Sequence, residues 1–167
     1  GGSRPRIVDA HSERSASVGV LISGQAVPEI RGLKVDFCSL AAVEVKGEAN
    51  PTIDGLHVVH TDGSGLYLHG KSQGTFMEVY LEDTTLCGVE AKGEAQGDLE
   101  GFHLYSGRAS GIWVRESAQI EALEFTIRGQ GGIAVDVQDQ GRLLLEDSVV
   151  KSNMDTALRA SGESETR

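Results

Sequence analysis

Asn50-Pro51-Thr52-Ile53-Asp54-Gly55-Leu56-His57-Val58, followed shortly by Gly65-Leu66-Tyr67-Leu68-His69-Gly70, holds one full repeat of this chain. Leu56 and Val58 alternate with polar neighbours, as do Leu66 and Leu68, which is the two-residue period of strands. Stepping back 23 residues from Pro51 reaches Pro28 and then Pro5, so all three prolines lie in one series. Each precedes an isoleucine by two, giving Pro5-Arg6-Ile7, Pro28-Glu29-Ile30 and Pro51-Thr52-Ile53. Stepping forward gives Gly74-Thr75-Phe76 and Gly97-Asp98-Leu99. A fixed period of this length marks a solenoid.

Both halves of the repeat read as strands. One puts Val20/Ile22, Val43/Val45, Leu66/Leu68, Val89/Ala91 and Ile112/Val114 on a common face. The other does the same with Leu33/Val35, Leu56/Val58, Val79/Leu81, Phe102/Leu104 and Phe125/Ile127. Between them stand Gly24, Gly47, Gly70 and Gly93, then a small residue (Ala26, Ala49, Ser72, Ala95, Ala118), as a tight corner requires. The short-strand series resumes at Gly132-Ile133-Ala134-Val135, a step of 21, so one coil is expected to lack two residues and to turn tightly around Gly129–Gly132. A leucine-rich repeat is the rival. Ile30-x-x-Leu33-x-Val35-x-x-Cys38 fits its frame, but Thr61, Thr84 and Gly107 follow at the polar position, and a strand stands where a helix should be. The fold expected is all-β, a right-handed parallel β-helix (solenoid) of about six 23-residue coils, since crossovers between parallel strands are right-handed.

The run from Asn50 to Val58 and the run Gly65-Leu66-Tyr67-Leu68-His69-Gly70-Lys71-Ser72-Gln73-Gly74-Thr75-Phe76 resemble the right-handed β-helix repeats of the pectin-lyase-like superfamily. The nearest look is to its carbohydrate-binding and sugar-hydrolase repeat type, found also in F-box adaptors. The resemblance spans residues 5 to 160 and implies the fold, not an activity. It departs from the pattern in one respect: with only Asn50 and Asn153, no asparagine ladder can form. The polygalacturonase and alginate-epimerase motif sets that the resemblance brings to mind are absent from this sequence.

Outward residues of a solenoid form columns spaced about 4.8 Å per coil. Leu21, Glu44, Tyr67, Glu90 and Trp113 make one column, and Ser23, Lys46, His69, Lys92 and Arg115 the next. Tyr67, His69, Lys92, Trp113 and Arg115 are the binding candidates: rings as platforms, cations as orienting donors. The bland alternative is a solvated face of balanced ion pairs. Lys34, His57, Tyr80, His103 and Thr126 form another column, in which His57, Tyr80 and His103 are secondary candidates, although such ladders also stabilise sheets. Asp54 and Glu100 stand two coils apart, near the spacing of an inverting glycosidase, with Met77 between them.

The histidines and cysteines offer no metal cluster, and Cys38 and Cys87 are too far apart to bridge. No metal, cofactor or catalytic residue is therefore assigned. A formal charge of −10 argues against nucleic acid and anionic membrane as partners. No apolar run approaches membrane-spanning length, and two cysteines suit a reducing compartment, so a cytoplasmic location is expected. Residues 4–161 read as one domain with 4–18 a partial coil or cap, 162–167 as a disordered tail and 1–3 as a cloning remnant. The function expected is a non-catalytic binding or scaffolding module for a protein partner or a polysaccharide, with end-to-end or edge-mediated self-association possible. The alternative is a carbohydrate-active enzyme, a lyase or hydrolase, with an unrecognised acidic site.

Overall fold

The computed structural model describes residues 2–151 and 153–167, so Gly1, the first residue of the expected cloning remnant, lies outside the described residues. Two parallel sheets run the length of the stack. One is built from seven three-residue strands: Val20–Ile22, Val43–Val45, Leu66–Leu68, Val89–Ala91, Ile112–Val114, Val135–Val137 and Leu158–Ala160. The other contains Arg6–Glu13, Glu29–Cys38, Thr52–Thr61, Thr75–Thr84, Gln96–Tyr105 and Gln119–Arg128, continued by Arg142–Glu146 and Val149–Lys151. The coil count is thus about seven, one more than the prolines and glycines suggest.

Register is kept at 23 residues throughout. Ile30, Ile53, Phe76 and Leu99 stack in one column, and Leu33, Leu56, Val79, Phe102 and Phe125 in another. All nine are buried. Phe102 and Phe125 lie face to face, centroids 4.8 Å apart and 6° from coplanar. The expected two-residue deletion does not occur: Ile112 pairs with Val135, and Val135 with Leu158. Ala134 holds the position of Gly111, and Gly132 belongs to the turn before it. A glycine is needed nearby for another reason. A Cβ on Gly131 would lie 2.4 Å from the carbonyl oxygen of Arg108 in the coil below.

Each coil turns at three corners, every one made by a residue with positive φ. The first corner is Gly24, Gly47, Gly70 and Gly93, then Glu116, Asp139 and Gly162. The second bends each long strand in the middle, at Asp9, Gly32, Gly55, Glu78, Gly101, Glu124 and Asp147. The third closes that strand at Arg14, Phe37, His60, Asp83, Ser106 and Gly129. Non-glycine residues in this region each cost roughly 1 kcal/mol, so the surrounding ladder must hold them there. Glu116 helps through its side chain, which accepts a hydrogen bond from the Gly93 N–H at 2.9 Å. Three corners divide the outer surface into three lateral faces.

Beside the third corner, inside the coil, runs a polar column of Cys38, Thr61, Thr84, Gly107 and Gln130. Gln130 is fully buried and reaches into the space that a side chain on Gly107 would fill, toward the Thr84 hydroxyl. At the ends, Ile7 and Leu158 are exposed, because only one neighbouring rung covers each. Arg6–Glu13, within the expected cap, forms a rung paired to Glu29–Cys38, and Glu165–Thr166, within the expected tail, pairs with Arg142–Leu143.

Candidate functional site

The first face carries the short strands, and its outward column extends past Trp113 to Asp136 and Arg159. Here carboxylates and rings alternate, covered by side chains of the adjacent column and, at Asp136, by Arg159 of the same column. His69 Nε2 lies 2.9 Å and Lys46 Nζ 3.2 Å from Glu44. Arg115 donates to Glu90 at 2.9 Å, and the Ser64 hydroxyl donates to it at 3.2 Å. Arg159 grips Asp136, only 3% exposed, with both Nε and Nη2, and Gln138 adds a third donor. The rings are capped in the same way. Tyr67 stacks on His69 at 4.5 Å with the Lys92 ammonium 5.2 Å from its centre, and the Arg115 guanidinium lies 4.1 Å from the centre of Trp113. Tyr67, His69, Lys92, Trp113 and Arg115 are therefore brought together, each half-buried.

Burial alone would raise the Glu44 carboxyl, but the hydrogen bonds from His69 and Lys46 outweigh it and hold the group below the ordinary carboxylate range. The neighbouring Cys87 thiol is pushed up to about 12, chiefly by burial and further by Glu90. Such a thiol is no nucleophile.

On the third face, the outward half of the long strands beyond the second corner, rings stand open to solvent. Tyr80 is 41% exposed. It meets His57 edge-on at 5.6 Å, His103 at 5.8 Å and Tyr105 at 5.0 Å. Desolvation, then the hydrogen bond with Tyr105, raises the Tyr80 hydroxyl above its usual value. A shallow depression of about 380 Å³ lies against this ring, floored by Gly32 and Gly55 and flanked by Lys34, His57 and Glu78. Below it Asp36 is buried, which alone would raise its pKa, yet hydrogen bonds from Lys34 and His11 hold it low.

The second face, between the first and second corners, is different again. Asp54, Met77 and Glu100 stack in register as the spacing predicts, with Met77 separating the carboxylates. Further along, a groove of about 240 Å³ runs between Asp98, Glu100, Glu121 and Glu146, over Leu123 and Leu144. Sequence reasoning missed this groove and Tyr105. Among the described residues no group of three or more His, Cys, Asp or Glu is placed to hold a metal ion, and no helix is long and apolar enough to cross a membrane.

A family model described as a right-handed β-helix region matches residues 18–166. No curated protein matches the chain.

Proposed function

The chain belongs to the right-handed β-helix family, and from that premise we propose that it is a non-catalytic binding module whose third face recognises a glycan. The observation that carries this is the open Tyr80 ring standing beside a glycine-floored depression. A sugar ring can lie flat on such a floor, with its apolar face against the tyrosine. Lys34 and His57 then offer donors and Glu78 an acceptor to its hydroxyls. His103 and Tyr105 extend the surface by one coil, enough for a second sugar. The first-face row takes a structural role in this proposal, since its rings already carry cations and its carboxylates already have donors. That also weighs against catalysis there: Glu90 and Asp136 are each engaged by an arginine, leaving neither free as an acid or base.

Glycan-array screening followed by titration of the best oligosaccharide tests the proposal. Tyr80→Ala should weaken binding at least about tenfold in a variant that melting curves show to remain folded. The double variant Tyr67→Ala/Trp113→Ala should melt earlier yet bind as before while folded. Undiminished binding by Tyr80→Ala, or loss of binding in a folded double variant, overturns it.

A further inference from the structure

We infer that the groove on the second face docks a protein segment bearing arginine or lysine side chains. The observation is an unpartnered sheet face with an apolar floor. Leu123 is 37% exposed and Leu144 half-buried on a strand surface where polar side chains would be expected to face water. Charge decides the occupant. Asp98, Glu100, Glu121, Glu124, Glu146 and Asp147 are all exposed on this side of three successive coils. No lysine or arginine stands within the segments 98–101, 121–124 and 144–147 that carry them, and the nearest on this face, Arg142 and Arg167, are both paired with Glu165. Among the described residues none of the six makes an ion pair, whereas Glu44, Glu90 and Asp136 on the first face all do.

Four unpaired carboxylates lining the groove, with Glu124 and Asp147 at the adjoining corner, repel one another and attract a particular kind of side chain. Arginine and lysine have long apolar stems and charged heads. Laid on Leu123 and Leu144, a stem covers apolar surface while its head reaches the carboxylates at the rim. A guanidinium can bind a carboxylate through two parallel hydrogen bonds, and each of the three successive coils brings at least one carboxylate to the rim, with Leu123 and Leu144 set between them. An acidic or purely apolar segment satisfies only half of the groove.

The test is fluorescence anisotropy with a fluorescein-labelled peptide of alternating arginine and alanine, at low and at high salt, with melting curves to confirm that every variant is folded. Saturable binding that weakens with salt is expected. The pair Glu100→Gln/Glu121→Gln should lose about tenfold in affinity, and Leu123→Ser about threefold. The pair Glu48→Gln/Glu94→Gln removes the same charge beside the first corner and should change affinity less than twofold. Tyr80→Ala should leave peptide binding intact, so this inference and the glycan proposal fail separately. Equal losses in both glutamate pairs would mean attraction to net charge alone. That result, an unchanged affinity for Leu123→Ser, or no saturable binding by the unsubstituted chain overturns the inference.

Discussion

The first and second faces are built on the same rungs, yet they handle charge in opposite ways. On the first, every buried carboxylate is answered by a cation from its own coil or the next, and both large rings lie under positive charge. On the second, Glu165 is paired with Arg142 and Arg167, but the carboxylates lining the open apolar groove face water without ion-pair partners. A face that satisfies its own groups adds to stability and has little left to offer a ligand. A face that leaves them unsatisfied gains nothing in stability and keeps its interaction energy for a partner.

The largest effect separating the two should come from Arg115→Ala. It strands Glu90 in a nearly buried position and uncovers Trp113, so urea unfolding should show a loss of about 2 kcal/mol, below that of a fully buried pair because the rim still reaches water. A loss indistinguishable from zero would mean that the first face is as solvated as the second. Next comes pH. The folded-state pKa of Glu44 is lowered, so its contribution is present above the unfolded carboxylate pKa and disappears as pH falls through the folded value. Stability should therefore drop on acidification below the ordinary carboxylate range, and Glu44→Gln should flatten that drop when unfolding is followed at a series of pH values. Glu100→Gln/Glu121→Gln, by contrast, should shift stability by no more than about 0.5 kcal/mol, and toward greater stability at low salt, since only like-charge repulsion is relieved. Smallest of all, added salt should stabilise the unsubstituted chain by a few tenths of a kcal/mol through screening of the second face, and that gain should shrink in the same double variant.

How much of this was legible beforehand depended on what each position needs. The apolar columns through Ile53 and Leu56 were plain, because a buried stack tolerates only apolar side chains and repeats them every coil. The first corner announced itself by Gly24, Gly47, Gly70 and Gly93. The other two did not. Gly32, Gly55 and Gly101 mark the second only intermittently, with Glu78 and Glu124 between and beyond them. Phe37, His60 and Asp83 adopt the left-handed conformation at the third while resembling ordinary strand residues. Without the second corner, each long strand reads as one flat surface, and the acidic and aromatic faces cannot be told apart. The column of His57, Tyr80 and His103 was visible from spacing alone, whereas Tyr105 joins it only because its ring leans across to Tyr80. The false deletion came from expecting glycine at the position of Ala134, where the coil accepts a methyl group.

The unbroken 23-residue register also has a mechanical side. The first and last rungs sit at opposite ends of the stack, so the chain is wound like a spool from one pole to the other. Pulled from its termini in an optical trap, it should pay out one turn at a time, each lengthening the tether by about 78 Å, the contour of 23 extended residues at roughly 3.4 Å apiece. Rungs fastened by first-face arginines should yield at higher force than the amino-terminal rung, which is tied to its neighbour by the His11–Asp36 contact but by no arginine, giving the trace a staircase of unequal risers.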